Sequence, residues 1–186
     1  MKIEVIFEDE KLLVVNKPPG IIVAAERNEE EQTLMDLLVK EKESLKQVGA
    51  SPRYGLVHRL DKDTSGMLLI AKNSKTLDFL QNQFKQRNVA KKYLALVIGE
   101  VKESKGEIET FIGRSKKDRK KQKVYLPGDP ESKGKRKSKT SYKVVKRFKG
   151  YTLLEVEPKT GRKHQIRCHR WRQSVWFQKP TRTRRS

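Results

Sequence analysis

Cysteine is nearly absent from this chain. Cys168 is the only one, so no internal disulfide can form and a reducing cytoplasm is the natural setting. No apolar run approaches the roughly 20 residues that a membrane-crossing helix needs. The opening Met1-Lys2-Ile3-Glu4, soon followed by Glu8, Asp9 and Glu10, lacks the layout of a signal peptide. There are only three histidines, His58, His164 and His169, and the last two stand five apart, on different faces of a helix. With no His-Glu-x-x-His and no cysteine pair, neither a structural nor a catalytic metal is expected. A glycine-rich dinucleotide fingerprint is missing. The nearest approach to a phosphate loop, Gly128 to Lys135, has Arg136 where a magnesium-binding Ser or Thr should stand. No internal repeat is present, and nothing in the pattern specifies an oligomeric state.

Acidic residues are also scarce, 23 against 44 Lys and Arg, for a net charge of +21. The excess is localised. Residues 114 to 149 carry 16 Lys or Arg against three acids, and residues 170 to 186 carry six and no acid, so the remainder is nearly balanced. A balanced body with basic extensions is the charge layout of a polyanion binder. No amphipathic helix accompanies the charge, so nucleic acid is favoured over a membrane surface.

What is present is a series of short apolar runs. Ile3 to Phe7 and Leu12 to Val15 predict two strands, closed by a turn over Asn16 to Gly20, where Pro18 and Pro19 cannot donate to a ladder. Ile21 to Val23 predicts a resumed strand. Thr33 is positioned to cap a helix with Leu34, Leu37, Leu38 and Leu45 on one face, and Ser74 to cap another with Leu77, Leu80 and Phe84. Between these helices, Leu56-Val57 and Met67 to Ala71 read as buried strands around a polar loop, His58 to Gly66. Tyr93 to Ile98 reads as a buried strand ending at Gly99, and Ile108 to Ile112 as a further strand. Lys120 to Lys139, rich in Pro and Gly and poor in apolar residues, is expected to be an exposed, mobile excursion. Thr140 to Phe148 and Tyr151 to Val156 predict a hairpin about Lys149-Gly150, and Gly161 to Trp171 a closing helix.

The polar loop His58 to Gly66 is the natural place for chemistry, since flanking buried strands fix a side chain that substrate can still reach. Asp61 is the candidate. Asp61 and Asp63 could serve as a glycosidase pair, but residues i and i+2 on a strand project to one side only about 6 to 7 Å apart. One ionised carboxylate acting as nucleophile or base asks less of the sequence.

Four motifs then occur in order: Phe7 to Gly20 (FEDEKLLVVNKPPG), His58 to Gly66 (HRLDKDTSG), Lys91 to Val97 (KKYLALV) and Gly161 to Arg167 (GRKHQIR). Together they resemble the RluA-type pseudouridine synthases over roughly residues 3 to 169. The resemblance implies an α+β fold on a twisted, mainly antiparallel or mixed sheet with flanking helices. It implies cofactor-free isomerisation of uridine to pseudouridine in ribosomal or transfer RNA. Asp61 matches the catalytic aspartate, Tyr93 the tyrosine packed against the base, and Arg167 the arginine that pairs with the aspartate. Arg59 matches the residue that fills the gap left by a flipped nucleotide. His58, His164 and Gln165 are read as pocket support, and Lys17 and Pro18 as shaping the first turn.

The domain is thus expected at 1–169, with a basic insertion at about 114–139 and an atypical basic tail at 170–186. The family pattern continues beyond His169 with a Gly-His-Pro-Ile-like turn, a further strand and a Leu-His-Ala-like motif. The tail here reads instead as out-of-frame sequence, so the C-terminal part of the fold is expected to be missing. The resemblance implies reduced stability and leaves the activity of this particular chain open. No small RNA-binding module precedes the first motif, which leaves substrate choice to the domain and its basic insertion. Two other classes stay open on the residues: an RNA-binding protein of the same fold without catalysis, and a glycosidase acting on a small nucleoside or sugar.

Overall fold

The computed structural model describes residues 1–25, 31–119 and 121–169. The chain divides into two compact units, Met1–Val89 and a second beginning at Ala90. Each carries its own sheet, and every strand pairing among the described residues is antiparallel, so the class is α+β as expected.

The first unit is built on β1 (Glu4–Glu8), β2 (Leu12–Lys17) and β3 (Gly66–Ala71), in the order β1-β2-β3. Leu13 and Val15 of β2 and Leu68 and Ile70 of β3 are fully buried, the period-two signature of strands with a covered face. Helix α1 (Leu34–Glu41) starts at Thr33 as expected. Thr33 and Asp36 exchange side-chain and backbone hydrogen bonds in a capping box. The cap contributes about 1 kcal/mol. Burial of Leu34, Met35, Leu38 and Val39, at about 2 kcal/mol each, matters more. Leu45 is buried in the 3-10 turn that follows, Glu43–Gln47.

Ile21 to Val23 does not form the expected strand. The carbonyls of Ile22 and Val23 instead accept the first amides of α1, from Leu34 at 2.8 Å and Met35 at 3.0 Å. These are the donors that a helix start leaves without an internal partner. Leu56-Val57 is buried but is not a strand either, joining β3 through one bridge, Leu56 to Ile70. Helix α2 (Ser74–Gln86) is capped by Asn73 rather than Ser74, the Asn73 side chain accepting from the Thr76 amide. Its Leu77, Leu80 and Phe84 pack with Val48, Val57 and Ala71 as their spacing predicts.

The second unit is a five-stranded sheet in the order β4-β8-β7-β5-β6. Its strands are β4 (Tyr93–Ile98), β5 (Lys105–Arg114), β6 (Gln122–Tyr125), β7 (Arg136–Phe148) and β8 (Tyr151–Pro158). The β7-β8 hairpin turns at Lys149-Gly150, with Gly150 at φ 79°, a left-handed conformation that glycine adopts without strain. β4 is buried on one face only: Ala95 and Val97 are covered, while Leu94 and Leu96 are exposed.

The basic stretch is the largest departure from expectation. Rather than a mobile excursion, it supplies β6 and the start of β7. Tyr125 is fully buried and donates its hydroxyl to the Arg114 carbonyl at 3.0 Å. Lysines that looked merely solvated are paired across the ladder, Lys137 with Glu109 and Lys139 with Glu107. The closing helix α3 is short, Gln165–Cys168. The atypical tail expected at 170–186 lies outside the described residues.

Gly55 sets the approach between the central loop and β3. A Cβ there would stand 2.0 Å from the Ala71 carbonyl oxygen, whose own amide bonds the Gly55 carbonyl at 2.7 Å. Gly55→Ala is therefore expected to lower stability by about 3 kcal/mol, because backbone must move to admit the methyl group. The urea midpoint of the variant against the parent checks this.

Candidate active site

Asp61 sits half-buried at the first position of a four-residue turn, its carbonyl accepting from the Thr64 amide at 3.1 Å. Asp is favoured at this position. The segment entering the turn is anchored at two buried points, Val57, whose amide bonds the Leu69 carbonyl at 3.2 Å, and Leu60. Between them, His58 is half-buried and Arg59 exposed. The His58 ring stacks on Phe84 of α2, centroids 4.7 Å apart and planes at 14°. Its Nε2 accepts from the Leu69 amide at 3.3 Å. His58 thus ties the loop to both β3 and α2.

The turn is held from behind by Lys17. This residue, the last of β2, is fully enclosed, and its ammonium donates to three carbonyls: Pro18 at 2.8 Å, Lys62 at 2.8 Å and Thr64 at 2.9 Å. The Lys62 carbonyl also accepts from the Gly20 amide at 2.9 Å. Burial pushes the Lys17 ammonium below the ordinary lysine range, while the charges of Asp63 and Asp61 act in the opposite direction. Enclosing an ammonium costs several kcal/mol, and three charge-assisted bonds at about 2 kcal/mol each offset it. The sequence placed Lys17 at the first turn. Its grip on residues 62 and 64 had no local signal, because the partners lie 45 and 47 positions away.

The remaining candidates belong to the second unit. Tyr93 opens β4, half-buried and paired with Val156. Tyr93 and Ile166, the neighbour of Arg167, pack against one cluster formed by Ala95, Val97, Val101, Tyr142, Leu154 and Val156. Arg167 is exposed on α3. His164, half-buried, starts that helix at φ 56°, and its carbonyl accepts from Cys168 at 2.8 Å.

Gln165 is buried, and all its polar atoms are engaged. Its Oε1 accepts from Thr160 Oγ1 at 2.7 Å and the Arg162 amide at 3.0 Å, and its Nε2 donates to the Lys139 carbonyl and Thr140 Oγ1, both at 2.9 Å. This side chain locks α3 to β7 and so fixes where Arg167 emerges. The structure therefore gathers His58, Arg59 and Asp61 in one loop, and Tyr93, His164, Gln165 and Arg167 around one sheet and its closing helix.

His169 was not among the expected site residues. It is buried, with Nε2 3.0 Å from both Thr110 Oγ1 and Ser138 Oγ, and Nδ1 has no hydrogen-bond partner among the described residues. Its spacing from Gln165, one helical turn, is the signal that marks both as one inward face. Among the described residues, no group of three or more His, Cys, Asp or Glu could hold a metal ion, and no helix is long and apolar enough to cross a membrane.

The family model for RNA pseudouridylate synthase matches residues 11–170. A ribosomal large subunit pseudouridine synthase D of Borreliella burgdorferi is 43% identical over 170 residues, covering 90% of this chain and 50% of that protein. An uncharacterised RNA pseudouridine synthase of Aquifex aeolicus is 41% identical, covering 90% and 51%. Among solved structures, human RNA pseudouridylate synthase domain containing 1 aligns with a TM-score of 0.71 at 27% identity, over 90% of this chain and 64% of that one. The chain belongs to the RNA pseudouridylate synthase family, as its four ordered motifs predict. It spans about half the length of the curated relatives it matches.

Two outcomes are expected. Lys17→Met takes a donor from the Pro18, Lys62 and Thr64 carbonyls, leaving Lys62 only its bond from the Gly20 amide, and lowers stability by about 2 to 4 kcal/mol, read from urea midpoints. For His169, burial lowers the pKa from 6.5 to about 4. The unfolded chain then takes up the proton first on acidification. Stability from this group is complete above its ordinary value of 6.5 and declines as the pH falls toward about 4, by about 3 kcal/mol in all. Urea titrations at several pH values in that window should show a steeper loss for the parent than for His169→Gln.

Proposed function

We propose that this chain isomerises uridine to pseudouridine in RNA, with Asp61 as the catalytic carboxylate and without a cofactor. The observation that carries the reading is the Asp61 turn, clamped by a buried ammonium and two backbone bonds, in a chain of this family. A carboxylate whose main chain is fixed on both sides can meet a reacting atom with little reorganisation.

The reaction needs no oxidant or metal to balance. The N1–C1′ bond to uracil breaks, the ring turns, the C5–C1′ bond forms, the C5 proton passes to water, and N1 takes up a proton from water, so the product is an isomer of the substrate. Asp61 begins it, either by attack on the ribose or by removing a ribose proton. By the family resemblance, Tyr93 is assigned to pack against the base and Arg167 to orient the catalytic carboxylate. A stacked target base is out of reach, and extruding it costs a few kcal/mol. Arg59, exposed two residues before Asp61, is suited to stack its planar guanidinium in the vacated space. His58, His164 and Gln165 hold the two groups of residues in place.

Ribosomal RNA is the favoured substrate over transfer RNA, since several relatives are named as synthases of the large ribosomal subunit. The cytoplasm, where such RNA is met and a lone cysteine stays reduced, is the favoured location.

Asp61→Asn tests the assignment. Release of tritium from C5-labelled uridine in ribosomal RNA should fall by at least a factor of about 1,000, while RNA affinity stays within about threefold. Retained turnover in the variant would remove Asp61 from the chemistry, and RNA binding by the parent without tritium release would leave a binding protein of this fold.

A further inference from the structure

Five basic side chains line one cleft of the second unit, of about 360 Å³. Arg114 ends β5, Lys135 and Arg136 lead into β7, and Arg162 and Lys163 precede α3. Among the described residues, no carboxylate lines it. The acids of this region are engaged elsewhere: Glu107 and Glu109 with Lys137 and Lys139, and Glu131 with Lys116 and Lys123. The alternation of β7 produces this sorting. Lys137 and Lys139 share one side of the strand with the glutamates of β5, and Arg136 faces the other way, into the cleft.

The cleft is also built rather than incidental. Lys135 lies over the ring of buried Tyr125, 5.2 Å from its centroid. Its stem crosses β5 at Gly113, where a Cβ would come within 2.5 Å of Lys135 Cδ. Arg162 is pinned at the wall by its Nε, which donates to the Lys137 carbonyl at 2.9 Å. Cations held this closely repel one another, and a polyanion relieves that repulsion while releasing its own counterions. The charges come from three separate segments, at Arg114, Lys135–Arg136 and Arg162–Lys163, not from amides converging on one point. That arrangement suits successive phosphates of a strand better than a single small anion.

We propose that this cleft docks the sugar-phosphate backbone of the RNA substrate, gripping nucleotides other than the target uridine. The proposal rests on the RNA reading above and adds where the second unit holds the strand.

The test compares two double variants that remove the same charge. Arg114→Gln/Arg136→Gln acts in the cleft, and Lys137→Gln/Lys139→Gln acts on the acid-paired side; all four positions lie outside the buried core. Equilibrium binding of a ribosomal RNA fragment is measured across a salt series, beside tritium release by the parent. The cleft pair should weaken binding about tenfold or more and flatten the log affinity against log salt slope by about 1.5 to 2, while the control pair moves both much less. Equal effects of the two pairs, or none from the cleft pair, would overturn the proposal. If the parent isomerises uridine while the cleft pair binds normally, only the cleft assignment fails. If the parent does not bind RNA at all, the functional reading fails with it.

Discussion

The ammonium of Lys17 is the constraint on which the Asp61 bend of the first unit depends. Three carbonyls converge on it, one from its neighbour Pro18 and two, of Lys62 and Thr64, from the distant bend that carries Asp61. A lysine rather than an arginine suits the task. Its three donors radiate from one atom, whereas a planar guanidinium would spread them across a fork. The charge does a second job, since the same group that orders the backbone lies within the field of Asp61 and Asp63. Structure and electrostatics at this bend therefore have one source.

The second unit solves the analogous problem without a buried charge. Helix α3 has a single turn and buries few apolar atoms, so packing alone would leave it loose. Gln165 and His169 compensate with neutral hydrogen bonds to β7 and β5. Saturating every polar atom of Gln165 is what makes such a buried amide favourable, and the contrast with Nδ1 of His169 is instructive. An imidazole that must stay neutral to remain inside makes this end of the sheet sensitive to acid, in a way that the amide is not.

Local features were legible in the sequence, and distant ones were not. Thr33 before an apolar-periodic stretch announced a helix start, and the two runs around Lys149-Gly150 announced a hairpin, because each signal lies within a few residues. The four motifs made the family readable as well. Ile21 to Val23 looked like a strand because its apolar content is that of one. Its carbonyls are taken by α1, a partner that composition does not encode. The stretch Gln122 to Tyr125 was hidden by charge: of its four residues only Tyr125 is buried, too little for a periodic signal among so many lysines. Asn73 displaced Ser74 as the cap because either side chain can do it, and one residue of register decides. The candidate residues were named from motif order, and the clamp behind Asp61 became visible only once β2 was laid beside the turn.

The order of strands in the larger sheet also bears on how the protein is made. Among the described residues β4 pairs with β8 alone, and Tyr93 meets Val156 across a separation of more than sixty residues. On a translating ribosome the tyrosine thus emerges long before the strand that will hold it, with Leu94 and Leu96 open to solvent beside it. The β5-β6 and β7-β8 hairpins can close as soon as they are synthesised, leaving β4 to join late. A nascent chain that stalls before β8 would therefore hold an ordered Asp61 bend and an unanchored Tyr93, which gives cellular quality control an exposed apolar edge to recognise.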